Sequence, residues 1–359
     1  MPEGYDKEKP YNPLPILPPA TDIESKVILK KAISANKVLA ELKGMGDRIP
    51  HQGILINSII LQEARVSSEI ENIVTTQDEL YQAGIQGELK GSADAKEVLY
   101  YREALWEGFQ AVQDRPLTIN TIVNIAKIVK QSDIDVRTIP GTKIANSKGE
   151  VIYTPPEGEE IIREKLKNLE EFMHEEDNVD PLIKMAIIHY QFEAIHPFSD
   201  GNGRTGRILN ILYLIENNLL SVPVLYLSGY IIENKNDYYR GLRLVTENSD
   251  WESWILFMLD AIKVTASQTK ERIEQISILM EECTEYVREN ASAVYSKDLI
   301  EIIFRHPYSK IKVLEDAGIA KRETASRYLH KLVDIGVLEL SKVGRDNYFI
   351  NTRLMELLR

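Results

Sequence analysis

The segment from His196 to Arg207 constrains this chain most, because it places a glycine-rich turn between two apolar stretches. It reads His-Pro-Phe-Ser-Asp-Gly-Asn-Gly-Arg-Thr-Gly-Arg. Gly201 and Gly203 allow restricted backbone conformations in which successive amide groups point toward one anion. Residues 204–216 follow with helical periodicity, so the turn also lies at the positive end of a helix. The segment therefore predicts a phosphate-binding loop.

The charged side chains of the loop favour the same interpretation. Arg204 and Arg207 are three residues apart on the first helical turn, so their guanidinium groups share a face and suit adjacent phosphates. Asp200 offers an oxygen ligand of the kind that Mg²⁺ takes between phosphates. His196 ends an apolar helix predicted over residues 185–195, and a neutral imidazole there is able to take a proton from a hydroxyl.

Three other kinds of site fit the loop less well. His196 followed by proline is typical of a helix end with a capping imidazole, which leaves the glycine-rich loop unexplained. A calcium loop needs a bidentate glutamate at the twelfth position counted from Asp200, where this chain has Ile211. A structural zinc site lacks a third ligand near His189 and His196, and the single cysteine, Cys283, lies far along the chain.

The loop resembles the signature of Fic-domain proteins, His-x-Phe-x-Asp/Glu-Gly-Asn-Gly-Arg-x-x-Arg, at every defined position. The resemblance implies a mainly α fold, a Fic-type helical bundle with a small β-hairpin flap. It also implies transfer of AMP from ATP to a Ser, Thr or Tyr hydroxyl of a target protein, with release of pyrophosphate. The implied roles are catalytic base for His196, loop anchor for Phe198 and Mg²⁺ ligand for Asp200. The implied nucleotide-binding residues are Gly201, Asn202, Gly203, Arg204, Thr205, Gly206 and Arg207.

Gly203 bears on the group that is transferred. A relative in the Fic family that transfers a phosphoryl group carries lysine at this place of the signature. The glycine in this chain therefore favours transfer of AMP.

A second motif lies upstream, where Ser67, Glu71 and Asn72 match the inhibitory pattern of the same family, Ser/Thr-x-x-x-Glu-Gly/Asn. Ser67 and Glu71 are four residues apart and are expected on one face of a helix predicted over residues 54–73. In the family this glutamate pairs with the second arginine of the signature, here Arg207, and takes the space of the γ-phosphate. The resemblance thus implies an enzyme that rests in an inhibited state. The pattern alone also fits a solvated helix face or an N-terminal cap.

Residues 143–154 predict a β-hairpin, because Asn146 to Gly149 is a turn signal between two short β-prone runs. In Fic proteins a flap in this place pairs with an extended target segment and aligns its hydroxyl with the catalytic histidine. A minor surface turn is the alternative. The candidate docking residues are Lys143, Ile144, Ala145, Val151, Ile152 and Tyr153.

The Tyr238-Tyr239 pair resembles the family's region near the adenine. Aromatic faces with polar tips suit a purine pocket. Packing of both rings against the core fits nearly as well. Tyr239 is the candidate nucleotide contact.

Residues 296–359 predict a winged helix-turn-helix module, with a turn at Gly318 between two helices, a strand after Gly336 and a hairpin over residues 343–348. The module holds 12 Lys and Arg against 9 Asp and Glu, whereas the whole chain has a net charge of −12. DNA binding and protein docking both fit this modest positive charge. The candidate DNA contacts are Lys321, Arg322, Thr324, Ser326 and Arg327, with Lys342 and Arg345 in the predicted wing.

The composition fits a chain of several domains. Of its 359 residues 43% are hydrophobic, which suffices for ordinary cores. The predicted divisions are an extended proline-rich arm (1–21), an N-terminal helical region with the inhibitory motif (22–115), a Fic catalytic core (116–263), a helical connector (264–295) and the winged helix-turn-helix domain (296–359).

The chain is expected to work in the cytoplasm and away from membranes. The sequence has no apolar run of about twenty residues and no signal-peptide pattern, and one cysteine cannot form an internal disulfide. Expected partners are ATP and a hydroxyl-bearing target protein. Self-modification, a symmetric homodimer and DNA are further candidates.

Two alternative functions remain open from the sequence. A transcription regulator that uses the nucleotide site as a sensor would not need the base at His196. Net removal of AMP from a modified protein would use Glu71 to orient a water, and the sequence does not decide between the two directions.

Overall fold

The protein is built mainly from α-helices, as predicted. The computed structural model describes residues 5–46, 52–86, 91–146, 148–343 and 346–358. The first helices are α1 (Lys26–Gly46), α2 (Gln52–Ile70), α3 (Gln77–Gln86), α4 (Ala93–Asp114) and α5 (Ile119–Lys130). The strands β1 (Ile144–Ala145) and β2 (Val151–Tyr153) follow, then α6 (Glu159–His174), α7 (Pro181–Ile195), α8 (Asn202–Glu216), α9 (Leu227–Glu233), α10 (Lys235–Asn248) and α11 (Trp251–Asn290). The C-terminal elements are α12 (Lys297–Arg305), β3 (Tyr308–Ser309), α13 (Ile311–Asp316), α14 (Arg322–Asp334), β4 (Glu339–Val343), β5 (Asp346–Ile350) and α15 (Thr352–Leu357).

Helices α7 and α8 form the centre of the core. Every residue from Leu182 to Phe192 of α7 is buried, and so are residues 204–215 of α8. A helix that is buried on all sides needs other elements around it. Here α1, α6 and α11 pack on α7, while α4 and α5 pack on α8. The predicted phosphate loop therefore joins the two most enclosed helices.

Helix α11 is 40 residues long and links the central helices to the C-terminal elements. It contacts α1, α7, α9 and α10 as well as α12 and α15. It runs without a break across the predicted division between residues 263 and 264, so that division does not coincide with the end of an element. Neither α11 nor another helix in the described part of the chain is long and apolar enough to cross a bilayer.

The C-terminal elements follow the predicted order of helix, turn, helix and two strands. Gly318 takes a left-handed conformation (φ 69°) between α13 and α14. The three antiparallel strands lie in the order β3-β5-β4, with Tyr308 opposite Ile350 and Leu340 opposite Phe349. The winged helix-turn-helix assignment stays a prediction, and Arg345 of the predicted wing lies outside the described residues.

The proline-rich arm wraps around the helical core. The side chains of Tyr11, Leu14 and Leu17 are buried among core residues. Lys165 of α6 donates from Nζ to the Leu14 carbonyl at 2.7 Å. The Asn168 side chain accepts from the Leu17 amide at 2.7 Å and donates to the Leu17 carbonyl at 3.0 Å.

Gly108 of α4 offers a test of how tightly α4 packs against α8. A Cβ atom added there would lie 2.6 Å from Cδ1 of Leu212 and 3.2 Å from Cδ1 of Ile125, whereas one added at Gly44 of α1 would face open space. Both alanine variants gain helix preference, but only Gly108→Ala is overpacked. We therefore expect Gly108→Ala to be less stable than Gly44→Ala by about 1–3 kcal/mol. Urea unfolding measures the difference, and equal free energies of unfolding would contradict close packing at Gly108.

Candidate active site

The loop that follows α7 begins at a fixed corner. His196 takes a left-handed conformation (φ 49°), and its amide donates to the Phe192 carbonyl at 3.0 Å. Arg137 holds this corner from outside the helix. Its Nε donates to the His196 carbonyl at 2.8 Å, its backbone amide donates to the Pro197 carbonyl at 2.9 Å, and its guanidinium also donates to the Pro156 carbonyl. Hydrogen bonds from several parts of the chain therefore hold the backbone that carries the His196 imidazole.

Asn202 closes the loop on itself. Its Oδ1 accepts from the Phe198 amide and its Nδ2 donates to the Phe198 carbonyl, both at 2.8 Å. Phe198 is buried in the core, as the family resemblance implies for a loop anchor. Gly201 takes the left-handed conformation (φ 76°) directly before α8 begins, a conformation that glycine adopts without strain. The loop amides are thereby held at the N-terminus of a buried helix, where a phosphate is favoured.

A cavity of about 900 Å³ lies between the loop, the hairpin and α10. The predicted site residues that line it are Glu71, Ile144, Ile152, Tyr153, His196, Asp200, Gly201, Asn202, Gly203, Arg204, Arg207 and Tyr239. Those that do not line it, all of them described, are Ser67, Asn72, Lys143, Ala145, Val151, Thr205 and Gly206. Thr205 is fully buried in the core, and Gly206 packs against Phe192 and Glu193.

Glu71 joins the two arginines of the loop. Its Oε1 accepts from Nη2 of Arg207 at 2.9 Å, and its Oε2 accepts from Nε of Arg204 at 3.0 Å. Arg207 also donates from Nε to the Ser67 hydroxyl at 2.7 Å, and Arg204 donates from Nη1 to Glu97 at 2.7 Å. Burial is the largest single effect on the pKa of Arg207 and lowers it, but the charges of Glu71, Tyr238, Tyr101 and Glu193 together raise the pKa above its ordinary value. The two guanidinium groups predicted to hold phosphates are thus occupied by carboxylates of the chain.

Glu71 lies one residue beyond the helix on which it was expected. Helix α2 ends at Ile70, and the chain then turns, with Asn72 in the left-handed conformation (φ 65°) and the Ile73 amide donating to the Ser68 carbonyl. The turn lets Glu71 point back toward the arginines while Ser67 reaches Arg207 from within the helix. The predicted helix over residues 54–73 was therefore too long at its C-terminal end.

Gly203 makes room for this contact. A Cβ atom at Gly203 would lie 2.5 Å from Oε1 of Glu71 and 2.9 Å from Nη1 of Arg207. Any larger side chain would push apart the carboxylate and the guanidinium. The absence of a side chain at residue 203 thus leaves the contact between Glu71 and Arg207 undisturbed.

The His196 imidazole is neutral at ordinary pH. Burial lowers its pKa from 6.5 to about 4, and the positive charge of Arg137 acts in the same direction. Contributions from the Glu193 backbone and from the charges of Glu71 and Asp200 oppose the change but are smaller. A neutral ring is the form that accepts a proton.

Glu193 is a cavity residue that the sequence interpretation missed. Burial raises its pKa to about 7; the charge of Arg207 opposes this rise and that of Glu71 adds to it. Its only sequence signal is an acidic residue inside the apolar run that forms α7. Glu97 and Arg137 carry no local pattern at all, since each meets the loop only through folding.

Asp200 faces Lys130 at the mouth of the cavity. Nζ of Lys130 lies 2.5 Å from Oδ2 of Asp200. Partial burial is the largest single effect on the pKa of Asp200 and raises it, but Lys130, the Gly201 amide and Arg204 together lower the pKa below its ordinary value. Among the described residues no group of three or more His, Cys, Asp or Glu side chains is placed to hold a metal ion. A cation here would depend on Asp200 and on oxygen atoms of a ligand.

The predicted hairpin is present and covers one side of the cavity. Strands β1 and β2 pair antiparallel, with Ile144 opposite Tyr153 and Ala145 opposite Val151. The Tyr153 hydroxyl donates to the Ala194 carbonyl at 2.8 Å and so ties the hairpin to α7 near the imidazole.

Comparison with known families accounts for most of the chain. Residues 116–214 match the Fic/DOC family, and residues 29–110 match the Fic/DOC family N-terminal region. The chain belongs to the Fic/DOC family. Residues 279–354 match a third model, the C-terminal domain of protein adenylyltransferase SoFic-like proteins. The resemblance read from the loop is thereby confirmed.

Curated relatives align with this Fic protein over only part of their own length. A probable protein adenylyltransferase of Aquifex aeolicus is 30% identical over 152 residues, which are 42% of this chain and 37% of the relative. Protein adenylyltransferase fic-1 of Caenorhabditis elegans is 33% identical over 91 residues, 25% of this chain and 17% of the relative. The chain therefore spans well under two thirds of either relative.

Solved Fic structures share the fold. A Fic family protein of Desulfovibrio desulfuricans has a TM-score of 0.58 at 19% identity, over 93% of this chain and 98% of that one. Fic-1 of C. elegans has a TM-score of 0.53 at 19% identity, over 70% of this chain and 74% of that one.

The remaining predicted residues of the Fic protein lie at two places. Tyr239 is 43% exposed and lines the cavity, whereas Tyr238 is buried with its hydroxyl 2.9 Å from Nε2 of His189. Lys321, Arg322 and Arg327 are exposed at the start of α14. Contact of Tyr239 with adenine and of α14 with DNA stay predictions.

The protonation of His196 gives a testable consequence. An unfolded chain binds a proton at this ring near pH 6.5, but the folded chain does so only near pH 4. The contribution of His196 to stability is therefore fully present above pH 6.5 and is lost as the pH falls toward 4. We expect ¹⁵N NMR to show a neutral His196 ring from pH 8 down to about pH 5. The His196→Asn variant assigns the signal, and titration near pH 6.5 would contradict the buried environment.

Proposed function

We propose that this Fic protein is an adenylyltransferase that transfers AMP from ATP to a hydroxyl side chain of a protein, and that Glu71 holds it in an inhibited state. The observation that carries the proposal is the pairing of Glu71 with both arginines at a cavity that also holds a neutral His196. The names of the curated relatives support the reaction, and the contacts of Glu71 with both arginines support the inhibition.

ATP binds with its phosphates over the N-terminus of α8. The loop amides and the two arginines give positive potential at that end of the cavity, and Tyr239 offers an aromatic face farther along. Asp200 fits Mg²⁺, because its carboxylate is 60% exposed at the cavity and Mg²⁺ is commonly held by one carboxylate together with substrate phosphates. Mg²⁺ bound there would neutralise phosphate charge.

His196 acts as the base in the transfer. Its neutral ring takes the proton of the target hydroxyl while the hydroxyl oxygen forms a bond to the α-phosphorus. The bond from the α-phosphorus to the oxygen that bridges to the β-phosphate breaks, and pyrophosphate leaves with the electron pair. The loop supplies position and charge, which account for most of the rate in such transfers.

The flap brings the target to this base. Strands β1 and β2 lie beside the cavity, and Tyr153 fixes them two residues before His196 through the Ala194 carbonyl. An extended segment of the target adds to the flap by main-chain hydrogen bonds, which position a hydroxyl without requiring a particular neighbouring sequence.

Inhibition follows from competition for the arginines. A γ-phosphate that binds Arg204 and Arg207 must displace the carboxylate that now accepts from both. Arg207 is 2% exposed, so loss of Glu71 without a replacement would leave a buried charge unpaired, which is costly. The γ-phosphate of correctly placed ATP can replace Glu71 as the anion beside Arg207. Because ATP must first break the contact of Glu71 with the arginines, its affinity is lowered.

Replacing Glu71 gives the decisive test. We expect Glu71→Gly to raise the transfer of label from α-labelled ATP to protein, including the chain itself, by roughly 5- to 150-fold, the range that a coupling of 1–3 kcal/mol gives. Glu69→Gly is the matched control, because Glu69 lies at the same end of α2 and pairs only with Arg65 among the residues described. Equal labelling by the Glu71→Gly and Glu69→Gly variants would contradict the inhibitory role.

Replacing His196 distinguishes AMP transfer from the two alternative functions, nucleotide sensing and removal of AMP. We expect His196→Ala in the Glu71→Gly background to lower labelling by about 100-fold or more, the usual contribution of general base catalysis. A protein that only senses nucleotide would keep its cellular role in this variant. Release of AMP from a labelled protein by the unaltered chain, lost in Glu71→Gly, would instead favour the reverse reaction.

A further inference from the structure

We propose that the N-terminal arm, residues 5–18, holds the flap in its docking position and that Tyr5 completes the wall of the cavity. The inference rests on the proposed function, since that function makes the flap a docking element. The family matches begin at residue 29, so the arm lies outside them. The sequence indicates only an extended, proline-rich segment here.

The flap needs support from elsewhere in the chain. Strand β1 has two residues and β2 has three, and every one of the five is at least partly exposed. A two-stranded hairpin alone is marginally stable in water at best. A hairpin this short keeps one position only if other segments hold it.

The backbone just beyond β2 is paired with the arm. The Tyr11 amide donates to the Thr154 carbonyl at 3.0 Å, and the Thr154 hydroxyl donates to the Lys7 carbonyl at 2.6 Å. The Glu157 amide donates to the Asn12 side chain at 2.8 Å. No described residue outside the hairpin pairs with the backbone of β1. The arm therefore closes the flap at the end of β2 and leaves the outer edge of β1 to a target strand.

Three tyrosine rings join the arm to the flap. The ring centroids of Tyr5 and Tyr11 are 5.1 Å apart. The centroid of Tyr153 lies 6.5 Å from that of Tyr5 and 6.4 Å from that of Tyr11. Such ring pairs stabilise beyond the area that they bury. Since Tyr153 also donates to Ala194, the cluster links arm, flap and the end of α7. The nearby ion pair of Glu8 with Lys143 is about half exposed and adds little.

Tyr5 reaches from the flap toward α10. It lines the cavity together with Leu242 and Arg243 of that helix. Burial raises the pKa of Tyr5 to about 12 and the charge of Glu247 adds to the rise, which agrees with a ring enclosed between the two elements. The arm thus closes the cavity on the α10 side, and a target enters from the side of β1.

The other end of the arm is anchored in the core. Leu14 and Leu17 are bound through their backbone to α6, and Nε2 of Gln191 on α7 donates to the Pro15 carbonyl at 2.8 Å. The arm therefore runs as a strap from the two helices to the flap. Because the arm is bonded to the core helices at one end and to the flap at the other, it restricts the motion of a hairpin that is marginally stable alone.

Hydrogen exchange of the full-length chain tests the strap. We expect Tyr5→Ala and Thr154→Val each to speed amide exchange in residues 143–154 by about tenfold, as expected for loss of one hydrogen bond or ring contact, and to leave α8 unchanged. Ile16→Ala is the matched control, because Ile16 belongs to the arm but is 61% exposed. Unchanged flap exchange in both variants would overturn the proposal, and so would an equal increase in Ile16→Ala.

Labelling in the Glu71→Gly background adds the functional test. We expect Tyr5→Ala and Thr154→Val to lower the initial rate of self-labelling by about tenfold, because the flap acts on the acceptor. For Thr154→Val, whose side chain does not line the cavity, the ATP dissociation constant should change less than about twofold. Loss of ATP affinity with unchanged flap exchange would overturn the strap. Absence of labelling in the Glu71→Gly parent would instead refute the proposed function, and the exchange result would still decide on the arm.

Discussion

The carboxylate of Glu71 between Arg204 and Arg207 is the contact on which the rest of the site depends. Both guanidinium groups are almost fully buried, so each needs an anion beside it at all times. In the structure Glu71 is that anion for both, with Glu97 as a second partner for Arg204. In the proposed function the phosphates of ATP replace Glu71 as this anion, and the inhibition follows from that exchange.

The exchange explains features that are otherwise unrelated. Gly203 leaves the space in which Glu71 approaches, and the turn after α2 points the carboxylate inward. His196 is kept neutral by burial and by Arg137 while Glu71 occupies both arginines of the loop. The proposed inhibition would thus act on the position of the nucleotide and leave the proposed base unaltered. The arm and the flap contact each other apart from these residues, and in our proposal they act on the acceptor.

Much of the fold and part of the site could be predicted from the sequence. The two apolar helices, the loop between them and the hairpin all follow from local periodicity and from glycine positions. The end of α2 was predicted three residues too late, although Asn72, which is left-handed in the structure, is a residue type that commonly follows a helix end. Arg137, Glu97 and Glu193 were missed, since no spacing rule connects them to the loop. The wrapped path of the arm depends on side chains of α6 and α7 that receive it.

The sequence by itself determined the loop, its arginines and its histidine, because glycine conformations, helix spacing and side-chain chemistry are local properties. Only the tertiary structure decided that Glu71 meets Arg204 from 133 positions away and that Tyr5 stands beside Tyr153. Such contacts depend on how the helices pack around α7 and α8, and packing is a property of the whole chain.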